Sequence, residues 1–152
     1  MSTDQQDEEH TVPPDVDERT VVALGKLSEA LETTERARGH LYSFHQLTGT
    51  ADFALEEAAD ELEAAGHSEL AEELRSELIG RNVVAGRWTF QIVEDYDDNY
   101  WDRFRRLEKR ARDRLAGGRR HLHEAQLKEQ RRTQGKPGHA ARPQETTALE
   151  GD

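Results

Sequence analysis

Apolar positions recur along this chain in steps of three and four, the spacing of helices. The stretch 87–107, RWTFQIVEDYDDNYWDRFRRL, shows this most fully. There Phe90, Val93, Asp97, Tyr100, Phe104, Leu107 and, beyond it, Ala111 fall on one stripe, widened in its first half by Ala85, Trp88, Ile92 and Tyr96. The stretch holds both tryptophans and six of the nine aromatic residues. It reads as a central helix, with Trp88, Phe90, Tyr96, Tyr100, Trp101 and Phe104 as an aromatic core. The register holds across the acidic centre, residues 94–99, which favours one continuous helix towards Leu115. The alternative is a division there, with Asp97 or Asp98 capping a new helix.

The same spacing places a long first helix upstream. Leu24, Leu27, Leu31, Thr34, Arg38, Leu41 and His45 form its stripe, Asp15 or Asp17 its cap, and Gly49 its stop after Leu47. Gly39 inside it either admits a partner helix or is a tolerated cost of about 1 kcal/mol. A short second helix, capped by Thr50 or Asp52, turns Leu55, Ala58, Ala59, Leu62 and Ala65 inward and ends at Gly66. A short third begins with Ser68 as cap and closes at Gly80. After the break at Gly117-Gly118 a last, sparsely apolar helix runs from about Arg119 to Arg132. Residues 1–17 and 133–152 have no apolar period and the composition of disordered tails.

The expected fold is therefore all-α: a four- to five-helix bundle at 18–132, with two long helices, two short intervening ones and disordered tails. Composition agrees. Hydrophobic residues make up 34% and charged residues 35% of the chain, which suits helices with narrow apolar faces. The chain has no cysteine, which excludes disulfides, thiolate metal sites and cysteine catalysis. No apolar run approaches the roughly 20 residues of a membrane span, and the acidic start is unlike a signal peptide. A cytoplasmic location is expected.

The net charge of −11 is unevenly spread. Residues 52–77 carry ten acids against Arg75 alone, whereas residues 103–132 carry twelve Lys or Arg against four acids. Blocks of opposite sign in one small domain usually neutralise one another or face solvent. Nucleic-acid contact through the basic segment 103–120 is an alternative that the net acidity disfavours. The plainer reading of that segment is a solvated face supported by pairs such as Asp102–Arg106 and Glu108–Arg112.

Metal chemistry in a bundle needs inward carboxylates and histidines, usually as Glu-x-x-His on two helices. That motif is absent. The set that remains is His45, Asp97, His121 and Glu124, as one metal- or small-ligand site in a bundle ferritin-like only in architecture. Asp97 falls on a face expected to be buried and needs a partner. Arg38 and His45 on the first helix are the candidates, so Arg38, His45 and Asp97 form an expected polar cluster in the core. Asp95, Asp97 and Asn99 imitate a calcium loop, but Tyr100 and Arg106 stand where it needs glycine and glutamate. No phosphate-binding loop or serine-nucleophile motif is present. The expected function is non-enzymatic: an accessory protein that recognises a protein partner through helical faces and acidic tails, or forms a homodimer, with no cofactor.

Overall fold

The computed structural model describes residues 3–143. The regular elements are helical: α1 (Glu18–Ala64), α2 (Ser68–Glu77), α3 (Thr89–Tyr96), a π segment (Asp97–Trp101), α4 (Asp102–Ala116) and α5 (Leu122–Arg131), after a short 3-10 turn at Glu8–His10. Among the described residues β pairing is limited to one isolated bridge between Val84 and Arg87. The all-α expectation holds. No helix among these residues is long and apolar enough to cross a membrane.

α1 differs from the sequence reading in one respect. It begins as expected, with Asp17 accepting a bond from the Thr20 backbone N–H at 2.7 Å. Bonds from the Thr20 side chain and backbone hold the Asp17 carboxyl below its ordinary range. The helix then runs for 47 residues, straight through the expected stop at Gly49. Gly49 is not among the glycines with positive φ, so it adopts the helical conformation and terminates nothing. Thr50, expected as a new cap, returns its hydroxyl to Gln46 O at 3.0 Å and so satisfies itself inside the helix. The first two expected helices are therefore one. Gly66, at φ 89°, makes the turn that ends it. Ser68 is the first helical residue of α2 rather than its cap; His67 takes the cap position without a side-chain bond.

The central helix is continuous in backbone but not in type. Tyr96, Asp97 and Asp102 all keep right-handed helical angles, and Asp102 N–H donates to Asp97 O, five residues back. A π turn adds a residue, so everything after it is rotated by about 100° from the α register. The single stripe read from sequence therefore breaks. Val93, before the turn, is buried, whereas Tyr100 and Leu107 are 54% and 60% exposed.

The chain divides into two units. The first comprises Met1–Leu31 and Arg105–Asp152. Its core is Val21, Leu24, Ala116 and Leu122, with Val12, Val16 and Ala111 packed against it. Gly25 admits the start of α5: a Cβ there would lie 2.9 Å from His123 Cβ. Glu108 and Arg112, expected as a solvated pair, have side chains only 7% and 15% exposed. Glu108 also accepts from Ser28 Oγ at 3.1 Å, and Arg112 reaches Gly118 O at 3.1 Å, pinning the glycine turn that ends α4.

The segment 3–17, read from sequence as an acidic tail, packs Val12 and Val16 on that core. Arg132, its side chain 4% exposed, binds Asp4 Oδ1 at 2.7 Å and Glu129 Oε2 at 2.7 Å. Arg142 donates to Gln5 O at 2.6 Å. The expectation of a C-terminal tail falls partly, at 144–152, outside the described residues.

The second unit is Glu32–Phe104. Its buried residues are small or polar: Thr34, Ala59, Ala71, Thr89 and Val93. Arg75 joins α2 to α1 by bonds to Asp60 at 2.8 Å and Glu63 at 2.9 Å. Gly39 has no neighbour within 4 Å of an added Cβ, so it serves no close packing here.

Candidate functional site

The polar cluster expected from sequence is partly assembled. Arg38 grips Asp97 in a bidentate pair, with Nε to Oδ1 at 2.7 Å and Nη2 to Oδ2 at 3.0 Å. Both side chains are 21% exposed. The guanidinium carbon lies 3.8 Å from the centre of the Trp101 ring and 5.2 Å from that of Tyr42. Trp101 in turn donates its indole N–H to Glu35 Oε1 at 2.6 Å. The Asp97 bond raises the Arg38 pKa above its already high value, so this cation stays charged throughout. His45 is not a member of the cluster. Its Nδ1 lies 2.6 Å from Thr89 Oγ1.

The proposed metal ligands are divided between the units. Within the second unit His45 pairs with Thr89 and Asp97 with Arg38. Within the first, His121 Nδ1 lies 3.9 Å from Glu124 Oε2, both about half exposed. His121 precedes α5 with φ 57°, a left-handed conformation that histidine tolerates better than most residues. In the basic segment, Lys109 pairs with Asp113 at 2.7 Å, Arg112 with Glu108, and Arg119 donates to Thr11 O.

The expected aromatic core is corrected. Tyr96, Trp101 and Phe104 are half-buried, but Trp88 and Phe90 are 47% and 45% exposed, and Tyr100 is 54% exposed. The π turn swings the later residues off the original stripe. Of the earlier two, Trp88 lines a recess of about 810 Å³ that no periodicity announced, and Phe90 meets the Trp88 ring edge-on, with ring centres 6.5 Å apart.

This groove is built by α1 and the segment that links α2 to α3. Ala51, Phe53 and Leu55 line it from α1; Leu78, Val83 and Trp88 line it from the link. Three features fix the link. Gly80, at φ 75°, closes α2 and donates its N–H to Asp52 Oδ1 at 3.0 Å. Trp88 donates its indole N–H to Gly80 O at 3.1 Å. Val84 and Arg87 close a tight turn, Arg87 N–H donating to Val84 O at 3.1 Å with Gly86 at φ 76°. Gln91 then accepts from Trp88 N–H at 2.8 Å, half of a capping box at the start of α3.

The lining is apolar and open to solvent. Phe53 is 73% exposed, Leu78 49%, Trp88 47% and Val83 40%; on the same stretches Leu47 is 68% and Val84 49% exposed. Together these six side chains expose apolar surface on the order of 600 Å², at the upper end of the largest patch on an ordinary monomer. Sequence reasoning placed Trp88 on a stripe facing the core and missed Leu47, Phe53, Val83 and Val84 because they stand off the periodic stripes. The available signal was the large residues left over, Leu47, Phe53, Val83 and Val84, once each helix had been given its inner face.

No protein-family model matches this chain, and no curated protein or solved structure matches it.

Proposed function

We propose that this is a non-enzymatic accessory protein of the cytoplasm, which binds another protein through the apolar groove between α1 and the α2–α3 link. The carrying observation is the exposure of Phe53, Leu78, Val83 and Trp88 around one preformed recess. The bonds of Gly80 N–H to Asp52 and of the Trp88 indole to Gly80 O fix the backbone of the link and the Trp88 ring, so the recess needs little backbone ordering on binding. That reduces the entropic cost of association. Covering about 600 Å² is worth roughly 15 kcal/mol gross at 25 cal/mol per Å². Association costs on the order of 4–15 kcal/mol. Gain and cost are of similar size, which supports reversible binding rather than a permanent complex.

Acid–base or nucleophilic chemistry has no comparable support. Asp97 is committed to Arg38 and His45 lies on Thr89. The reading is tested with the apolar dye bis-ANS. The native protein is expected to bind it and Phe53→Asp to lose most of the signal at unchanged helicity. Equal dye binding by both proteins would reject the groove as the interaction surface.

A further inference from the structure

The charge of the unit that holds the groove narrows the occupant. Between Glu32 and Phe104 the sequence carries seventeen carboxylates against six Lys or Arg. Three of those cations are paired internally: Arg38 with Asp97, Arg75 with Asp60 and Glu63, and Arg87 with Asp95. Around the groove, Asp52 lies in the lining, Glu56 and Glu57 stand one turn further along α1 and are exposed, and exposed Glu77 precedes Leu78. The recess is apolar inside, with one cation in its lining, Arg81, against the four carboxylates of Asp52, Glu56, Glu57 and Glu77, so its approaches are acidic on balance. A second copy meeting this groove with its own groove would bring the same excess of negative charge against itself, which penalises symmetric self-association. No strand among the described residues offers an edge for strand addition, whereas a groove beside a long helix suits a docked helix.

We propose that the groove receives a cationic amphipathic helix from another protein. Its apolar residues, at i, i+3 or i+4, and i+7, enter between Phe53, Leu78, Val83 and Trp88, and Lys or Arg residues flank them opposite Asp52, Glu56, Glu57 and Glu77. This rests on the reading of the groove as a protein-binding surface. Phe53 supplies apolar contact at the groove edge; the carboxylates set the sign of the partner and speed its approach.

The test uses the full chain carrying Trp101→Phe, which leaves Trp88 as the sole tryptophan reporter. Its fold is checked first by circular dichroism. Three synthetic helices with the same leucine face, flanked by lysine, glutamine or glutamate, are titrated while Trp88 emission is followed. The lysine helix is expected to bind at least tenfold more tightly than the glutamine helix at low salt, and the advantage is expected to shrink at high salt. Adding Phe53→Asp is expected to weaken lysine-helix binding at least tenfold, although it adds a negative charge. Equal affinity for the lysine and glutamine helices would overturn the charge assignment and leave the groove reading standing. Binding of the lysine helix that survives Phe53→Asp undiminished would overturn it as mere attraction to an acidic surface. No response of Trp88 to any helix would reject the groove reading with it. A dimer by light scattering that dissociates in Phe53→Asp would replace the proposed partner with a second copy.

Discussion

The Arg38 guanidinium and the Asp97 carboxylate face each other in two nearly parallel bonds, at 2.7 and 3.0 Å, with the guanidinium laid against the Trp101 ring. The π turn sets this geometry, because it places Asp97 at its start and Trp101 at its end on the side of Arg38. The pair is partly shielded, so it is worth more than an exposed ion pair and less than a dry one. A double-mutant cycle with Arg38→Ala and Asp97→Ala, read by urea unfolding, is expected to give a coupling of about 1–2 kcal/mol. A coupling near zero would show that solvent replaces the pair without loss.

Two glycines inside α1 are expected to respond oppositely to alanine. At Gly39 an added Cβ meets nothing within 4 Å, so Gly39→Ala should stabilise by about 0.5–1 kcal/mol through helix propensity. At Gly25 the Cβ would lie 2.9 Å from His123 Cβ, closer than packing tolerates. Gly25→Ala should therefore destabilise, by about 1–3 kcal/mol less the propensity gain. Thermal unfolding of the two variants checks the contrast.

Burial of Glu108 makes a third prediction. Its side chain is 7% exposed and its Oε1 accepts from both Arg112 and Ser28. Glu108→Ala leaves the Arg112 cation in a shielded place without its carboxylate, at an expected cost of about 2–3 kcal/mol. Ser28→Ala, which leaves the ion pair intact, should cost about 1 kcal/mol or less. Chemical denaturation that ranks them in the reverse order would contradict the arrangement.

The terminal segments should loosen in acid. Hydrogen bonds from Arg132 hold the carboxyls of Asp4 and Glu129 below their ordinary values of 3.8 and 4.5. A carboxyl depressed in the folded state contributes its stability above its unfolded pKa and loses it as pH falls through the folded value. The stabilisation from these bonds is therefore present above the ordinary values of 3.8 and 4.5 and is lost as pH falls below them through the lowered folded values. Limited proteolysis with a broad-specificity acid protease that works in that range is expected to cut near residues 3–17 progressively as pH falls from 4 to 2. Arg132→Gln should show the same cutting already at pH 4.

How much of this was legible in the sequence depends on whether one helix or several elements decided a position. The 3.6-residue period identified the helices and placed Arg38 opposite Asp97, because the need to pair a carboxylate in an apolar stripe is local information. The stops at Gly66, Gly80 and Gly117-Gly118 were legible because each glycine takes a positive φ. Gly49 misled because glycine and threonine are weak helix formers, yet nothing outside the helix required a turn there. The π turn was invisible, since one added residue leaves composition and spacing unchanged while rotating all that follows. The groove was hidden for a different reason. Phe53 on α1 and Val83 on the link become neighbours only through the bonds among Asp52, Gly80 and Trp88, which no periodicity encodes.

The most direct test of the groove as a protein-binding surface is an amide and indole NMR titration of the isotopically labelled chain with the lysine-flanked amphipathic helix. Shifts are expected to concentrate in residues 47–57 and 78–90, including the Trp88 indole N–H that donates to Gly80 O in the free chain. Shifts spread along the acidic faces of α1 and α2, with the Trp88 indole unmoved, would contradict the groove as that surface.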